Sequence, residues 1–157
     1  MMDGTAPHGP ETVLVPLEPA IVEPRGYIQP LVEAAIRSAL VIFSKQGEAR
    51  SDHYHLTDWH YLYVVSGRMV YLHRLHGDPD PPQRVIVEAG QMVFSPPMVE
   101  HRVEFLEDTV CVTLSRNARD QASYEADVRR ITMPVPEGPV PAGLVPERLI
   151  SDGGAVR

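Results

Sequence analysis

The sequence predicts an all-β protein folded as one small sandwich or barrel. Between residues 35 and 116, short runs rich in Val, Ile, Tyr, Leu and Phe are broken by Gly, Pro and Asp at intervals suited to sequential antiparallel strands. One stretch of helical period follows them. The chain's 157 residues, 43% of them hydrophobic, suffice for one core and are too few for two.

Residues 1–30 form an N-terminal arm, because prolines and acidic residues interrupt any period there and leave room for one short strand. Residues 31–132 are the barrel with a terminal helix. Its clearest strands are SALVIFSK (38–45), HYLYVVS (60–66), RMVYLHR (68–74), RVIVEA (84–89), QMVFS (91–95) and TVCVTLSR (109–116). Gly67 and Gly90 fall at tight turns, and the three prolines of GDPDPP (77–82) cannot donate to a ladder, which makes that segment a loop. From Asp120 to Ile131 the period changes, with Tyr124, Val128 and Ile131 on one helical face and Glu125 spaced i, i+4 from Arg129. Residues 133–157 are a Pro-rich tail, extended or disordered and placed to lie across a neighbouring subunit.

Fourteen basic against 21 acidic residues give a net charge of −7, and no stripe of Lys or Arg is available to track phosphates. Nucleic acid is not an expected partner. The first residues lack a basic n-region and an apolar h-region, and no segment has the run of apolar residues that spans a bilayer, so a soluble cytoplasmic protein is expected. Cys111, the one cysteine, reads as an inert half-buried strand thiol, and Lys45, the one lysine, makes Schiff-base chemistry improbable.

Four of the seven histidines have usable spacing. His53 and His55 are two apart and project from one face of a strand. After a four-residue bend, His60 opens the next strand and turns inward with Leu62 and Val64, while the remote His101 shares a face with Val103 and Phe105. A local pair closed by distant ligands is a way to build a metal site in a barrel. His8, His73 and His76 match no spacing and are expected to be ordinary surface or hydrogen-bonded residues. Alternation places Tyr61 and Tyr63 on the face opposite His60, as for a dimer interface or a sheet-packing surface.

These residues carry a pattern. Gly47, five residues, His53-Tyr54-His55, four residues, His60, six residues and Gly67 resemble the first motif of the cupins. Gly90, five residues, Pro96 and then His101 four positions after Pro97 resemble the second. The resemblance covers residues 47–105 and implies a jelly-roll barrel, a double-stranded β-helix, holding one divalent metal ion (Zn, Fe, Mn or Ni) on His53, His55, His60 and His101. His60 stands where the family usually has glutamate, and Met98 and Phe105 replace its usual glycine and asparagine. Four neutral imidazoles leave the full charge on an ion, and the pKa of free imidazole sets the expectation that affinity falls below about pH 6. Asp52, Asp58, Glu100 and Glu104 are the acceptors available to the ring N–H groups.

Cupins host many activities, so the fold leaves function open. Arg50, three residues before His53, resembles the Arg-x-x-His arrangement of sugar-nucleotide epimerases and ketoisomerases, in which arginine holds phosphates and histidine moves protons. Arg25-Gly26-Tyr27-Ile28 resembles the Arg-Gly-x-Leu opening of those ketoisomerases, and SRNARDQASYEADV resembles their terminal acidic helix with its tyrosine. In the ketoisomerases the histidines work largely without a metal. The resemblance thus implies a metal-dependent isomerase or epimerase acting on an oxygenated small molecule such as a nucleotide-linked keto-sugar, with Arg50 as its catalytic anchor and a homodimer as its assembly. An Fe(II)-dependent dioxygenase and a non-catalytic metal- or ligand-binding module are the alternatives.

Overall fold

A short hairpin, β1 (Ile21–Glu23) and β2 (Gly26–Ile28), precedes the barrel in the computed structural model, which describes residues 5–141. The barrel strands are β3 (Ser38–Ser44), β4 (Ala49–His55), β5 (His60–Ser66), β6 (Arg68–Leu75), β7 (Gln83–Glu88), β8 (Met92–Ser95), β9 (Val99–Phe105) and β10 (Thr109–Ser115). They form two sheets, ordered β3-β10-β5-β8 and β11-β4-β9-β6-β7, where β11 is Val128–Arg130. This is the jelly-roll arrangement, and every expected strand run is a strand. Gly67 makes the β5–β6 turn at φ +89°, and a Cβ there would collide with the Asp108 carbonyl and with Thr109.

Two elements differ from expectation. The helix α1 (Gln121–Asp127), capped by the Asp120 carboxylate accepting from Ser123 N, stops halfway through its apolar period. Val128, Arg129 and Arg130 instead pair with His55, Tyr54 and His53, because the open edge of β4 offers backbone groups that need partners. Tyr124, Val128 and Ile131 therefore share no helical face, and Glu125 forms its ion pair with Arg130, not Arg129. The arm also holds more structure than one strand. Besides the hairpin, Val15 N donates to the Met92 carbonyl and Phe94 N to the Val13 carbonyl, which lays the arm along the β8 edge.

The described part of the tail packs on its own barrel, with Met133 and Val140 against Val70 and Leu72 and with Arg84 donating to the carbonyls of Glu137, Gly138 and Pro139. The remainder of the expected tail lies outside the described residues. No helix among the described residues is long and apolar enough to cross a membrane.

Strand parity divides the interior along its length. At one end Val64, Met69, Val87, Val103, Phe105 and Cys111 meet between the sheets. Burial pushes the Cys111 thiol up to about 11, as suits an inert side chain. At the other end the inward positions turn polar, with His53, His55, His73 and His101 on one sheet and His60, Ser95, Thr113 and Ser115 on the other. Tyr61 does face outward, where it packs with Trp59, Met92 and Phe94 beneath the arm residues Val15 and Leu17 and the following Ile36.

Candidate metal centre

The polar end of the interior is built by cross-strand register. His53 of β4 lies opposite His101 of β9, which in turn lies opposite His73 of β6. His60 enters from the facing sheet between Ser95 and Ser115. A bulge at Ser51 and Asp52, both with left-handed backbone (φ 77° and 53°), shifts the β4 register just before His53 and aims it at His101. The ring centroids of His53 lie 4.8 Å from His55 and 4.7 Å from His101, and His60 lies 5.1 Å from His101 and 5.4 Å from His55. The structure thus brings the four spaced histidines together.

Their tautomers follow from their neighbours. His55 Nδ1 lies 3.1 Å from the Asp127 carboxylate, which can only accept when ionised, so Nδ1 carries the proton and Nε2 keeps its lone pair. His101 Nδ1 lies 3.0 Å from the Val99 carbonyl, which fixes the same tautomer. His55 Nε2, His101 Nε2 and His60 Nδ1 are buried and have no partner among the described residues. Buried polar atoms are rarely left so, and lone pairs facing one another repel. One ligand nitrogen from each of His53, His55 and His101 lies within 4.8 Å of the others, and His55, Asp58 and His60 meet the same distance. This donor set fits a divalent ion of the nitrogen-loving type.

Burial also keeps the imidazoles neutral. It is the main cause that lowers His53 to about 2, His55 to about 4 and His101 to about 3, and it holds His60 well below the usual range. The threshold near pH 6 expected for free imidazole therefore moves down in the fold, since protons compete weakly for these nitrogens. Arg119 lowers all four further by its charge.

The remaining expected residues sit elsewhere. Arg50 is exposed and docks on the end of β3, donating to the Ser44 hydroxyl at 2.7 Å and the Phe43 carbonyl at 3.2 Å. Asp52 and Glu104 both bind Arg102, and Glu100 binds Arg74 and His76. Asp58 accepts from Asn117 N and Arg119. None of these four carboxylates takes a ring proton from the cluster. Asp127 does so for His55, while also accepting from Thr57 N, Thr57 Oγ1 and Asp58 N. Burial works to raise the Asp127 carboxyl, yet these donors bring it below its ordinary value.

Sequence reasoning missed Asp127, which is buried at the end of α1, and His73, which is buried in the row of His53 and His101. Strand parity counted forward from Tyr71 is the signal that could have found His73. Outside the row, His76 stacks on Tyr54 at 4.1 Å and His8 sits edge-on to Phe94 at 5.1 Å.

The family model for the cupin domain matches residues 39–115. Those residues are a cupin domain. The chain superposes on QdtA, a sugar 3,4-ketoisomerase from Thermoanaerobacterium thermosaccharolyticum in complex with TDP, with a TM-score of 0.63 at 17% identity over 74% of this chain and 85% of that one. It matches dTDP-4-dehydrorhamnose 3,5-epimerase from Sulfolobus tokodaii with a TM-score of 0.59 at 17% identity over 79% and 81%. The capsular polysaccharide assembling protein CapF from Staphylococcus aureus matches with 0.54 at 26% identity, over 74% of this chain and 33% of CapF. Likeness at the identity of the two enzymes establishes the fold. No curated protein matches the chain.

Proposed function

We propose that this cupin domain is a metal-dependent isomerase or epimerase acting on an oxygenated small molecule, with a nucleotide-linked keto-sugar as the substrate to test. The observation that carries the reading is the convergence of buried ring nitrogens of His55, His60 and His101 that have no partner among the described residues, in an interior that also presents the Thr113 and Ser115 hydroxyls, likewise unpartnered there. Hydroxyl groups facing such a space suit a polyhydroxylated ligand. The resemblance of Arg50-x-x-His53 to sugar-nucleotide enzymes supports it, as does the fold shared with a ketoisomerase bound to TDP and with a dTDP-sugar epimerase.

His53, His55, His60 and His101 would hold the ion, which supplies a Lewis-acidic charge undiminished by any anionic ligand. The other work falls to the chain's own residues. His73 shares the inward face with His101 and stands outside the ligand set, and we take it as the base for the proton next to a carbonyl. Arg50, exposed at the end of β3, is assigned a distant anionic group of the substrate. The unit that carries the site is residues 31–132, with 1–30 and 133–157 as accessory arm and tail.

A homodimer is the assembly we infer. Val41 is 76% exposed and Phe43 54% on the outer face of β3, and Val22 and Tyr27 of the β1–β2 hairpin are 69% and 70% exposed. Two-stranded hairpins are marginal alone, and apolar patches on this scale mark interfaces.

The test has two parts. Elemental analysis of protein purified without added metal is expected to find one equivalent of metal, absent from the His53→Ala/His101→Ala double variant. Incubation with dTDP-4-keto-6-deoxyglucose in D₂O is expected to place deuterium next to the ketone, and His73→Gln is expected to abolish this while keeping the metal. Metal-poor wild-type protein would turn the reading towards histidine proton transfer alone, iron with oxygen uptake towards a dioxygenase, and absence of deuterium would reject this substrate.

A further inference from the structure

Arg119 is the one cation whose charge acts on all four histidines among the described residues, and the ligand reading does not use it. Its Nη2 donates to Asp58 Oδ2 at 3.2 Å, and its guanidinium carbon stands 5.4 Å from the centre of the Tyr124 ring. That ring is 5.9 Å from His55 and 6.3 Å from His53. Asp58, whose other oxygen accepts from Asn117 N, lies within 4.8 Å of a nitrogen of His55 and of His60. The guanidinium is therefore one carboxylate away from the cluster. Its side chain is 14% exposed, and Nε–H is buried with no acceptor among the described residues.

A fixed cation beside a cation site is unfavourable unless negative charge joins them. Asp58 and Asp127 are the carboxylates at hand, and both are already hydrogen-bonded. Two negative charges against a divalent ion and Arg119 leave the centre with one net positive charge. The unused donor and the unbalanced charge ask for the same thing, an anionic oxygen.

We propose that Arg119 is a catalytic residue that donates through Nε–H to the substrate oxygen that becomes negative during the reaction. The inference rests on the isomerase reading above. When the proton next to the ketone leaves to the base, the C–H electron pair becomes the C=C bond of an enediolate and the carbonyl π pair moves onto oxygen. Arg119 meets that charge with a preset donor; return of a proton to the carbon that lost it regenerates the ketone, and in an isomerisation the former carbonyl carbon is protonated instead while the adjacent hydroxyl passes its proton to the enolate oxygen. Ligands carrying a planar oxyanion are then preferred over neutral ones of equal size.

Oxalate, a planar dianion shaped like an enediolate, is the probe. Calorimetric titrations of wild-type protein, Arg119→Lys and Arg119→Gln are run with one equivalent of Zn²⁺ and without metal. Arg119→Gln is expected to weaken oxalate by about tenfold or more and Arg119→Lys by less, as loss of a charged hydrogen bond implies. Zn²⁺ affinity should stay equal or rise in Arg119→Gln, because a like charge is removed, whereas a residue that merely braces Asp58 would lower it. In labelled wild-type protein, oxalate should shift the Arg119 Nε–H resonance, which needs no variant to fold. Equal oxalate affinity in wild type and Arg119→Gln, or an unmoved resonance, overturns the proposal. If the wild type takes up no Zn²⁺, the metal reading fails by itself. The metal-free titrations then decide Arg119 separately, with equal binding or none by either protein counting against it.

Discussion

The Asp127 carboxylate receives the Nδ1 proton of His55 across 3.1 Å, joining the last residue of α1 to the centre of the histidine cluster. The same carboxylate holds the 57–58 backbone, so one side chain sets both the tautomer of His55 and the bend that leads to His60. Such outer partners typically govern metal affinity by about 10- to 100-fold. Asp127→Asn keeps the shape but no longer enforces the Nδ1–H tautomer. We expect Zn²⁺ affinity to fall by about tenfold or more, read by competition with a chromophoric chelator. Affinity equal to wild type would show that the tautomer is fixed by something else.

Met98 occupies the left-handed region at φ 63°, where the resemblance to the cupins calls for glycine. Its backbone is committed on both sides, with N–H donating to the His55 carbonyl and C=O accepting from His76 N. The conformation is thus imposed by the pairing around His55 although a side chain is present. Left-handed backbone costs a non-glycine residue about 1–2 kcal/mol. Met98→Gly should therefore stabilise the protein, by about 0.5–1 kcal/mol once the added freedom of the unfolded chain is deducted. Met98→Ala keeps the cost and should not stabilise. Chemical denaturation of the three proteins checks this, and a destabilised Met98→Gly would mean that the side chain contributes more than its backbone costs.

How much of this was legible in the sequence depended on whether local period or distant register decided it. The strands at 38–44, 60–66, 68–75 and 109–115 follow from alternation, and the meeting of His53, His55, His60 and His101 follows from strand parity. Residues 128–130 do not, because their helical period is overruled by the open edge of β4 several dozen residues away. Nor does the bulge at Ser51 and Asp52, since aspartate tolerates left-handed backbone but serine carries no such signal, and the shift is defined only by pairing with β9. Asp127 and Arg119 became visible only when the fold brought α1 and the segment before it against imidazoles from distant strands, whereas His73 was open to strand parity.

Stability of the metal-stripped protein should fall in mild acid. Unfolded histidines titrate near 6.5, whereas the fold holds His53, His55 and His101 at about 2, 4 and 3. Below pH 6.5 the unfolded chain takes up protons that the folded one refuses, so lowering the pH favours unfolding. Stability is then level above about pH 7 and declines as pH falls towards 4, by up to about 1.4 kcal/mol per pH unit for each imidazole. Denaturant midpoints at pH 7.5, 6 and 5 measure this. Equal midpoints at pH 7.5 and 5 would mean that the cluster binds protons as readily as free histidine does.

The exposed faces of β3 and the β1–β2 hairpin give the last prediction. Val41 and Phe43 project from β3 on the side away from the core, Val41 in register with Val112 and, through it, with Tyr63. The hairpin stands off the same sheet, leaving between Tyr27, Tyr63 and Val65 a cavity of about 650 Å³. Ile21, Val22, Tyr27 and Ile28 remain largely exposed there, an arrangement that water does not reward. A twofold pairing lets the same apolar patch cover itself on both copies. Val41→Glu/Phe43→Glu places like charges on both halves of such a contact while leaving every inward residue untouched. We expect wild-type protein to sediment as a dimer and the double variant as a monomer with its metal content intact, since the histidines lie on the far face of the sheets. A wild-type monomer at micromolar concentration, or a variant that stays dimeric, would move the interface elsewhere.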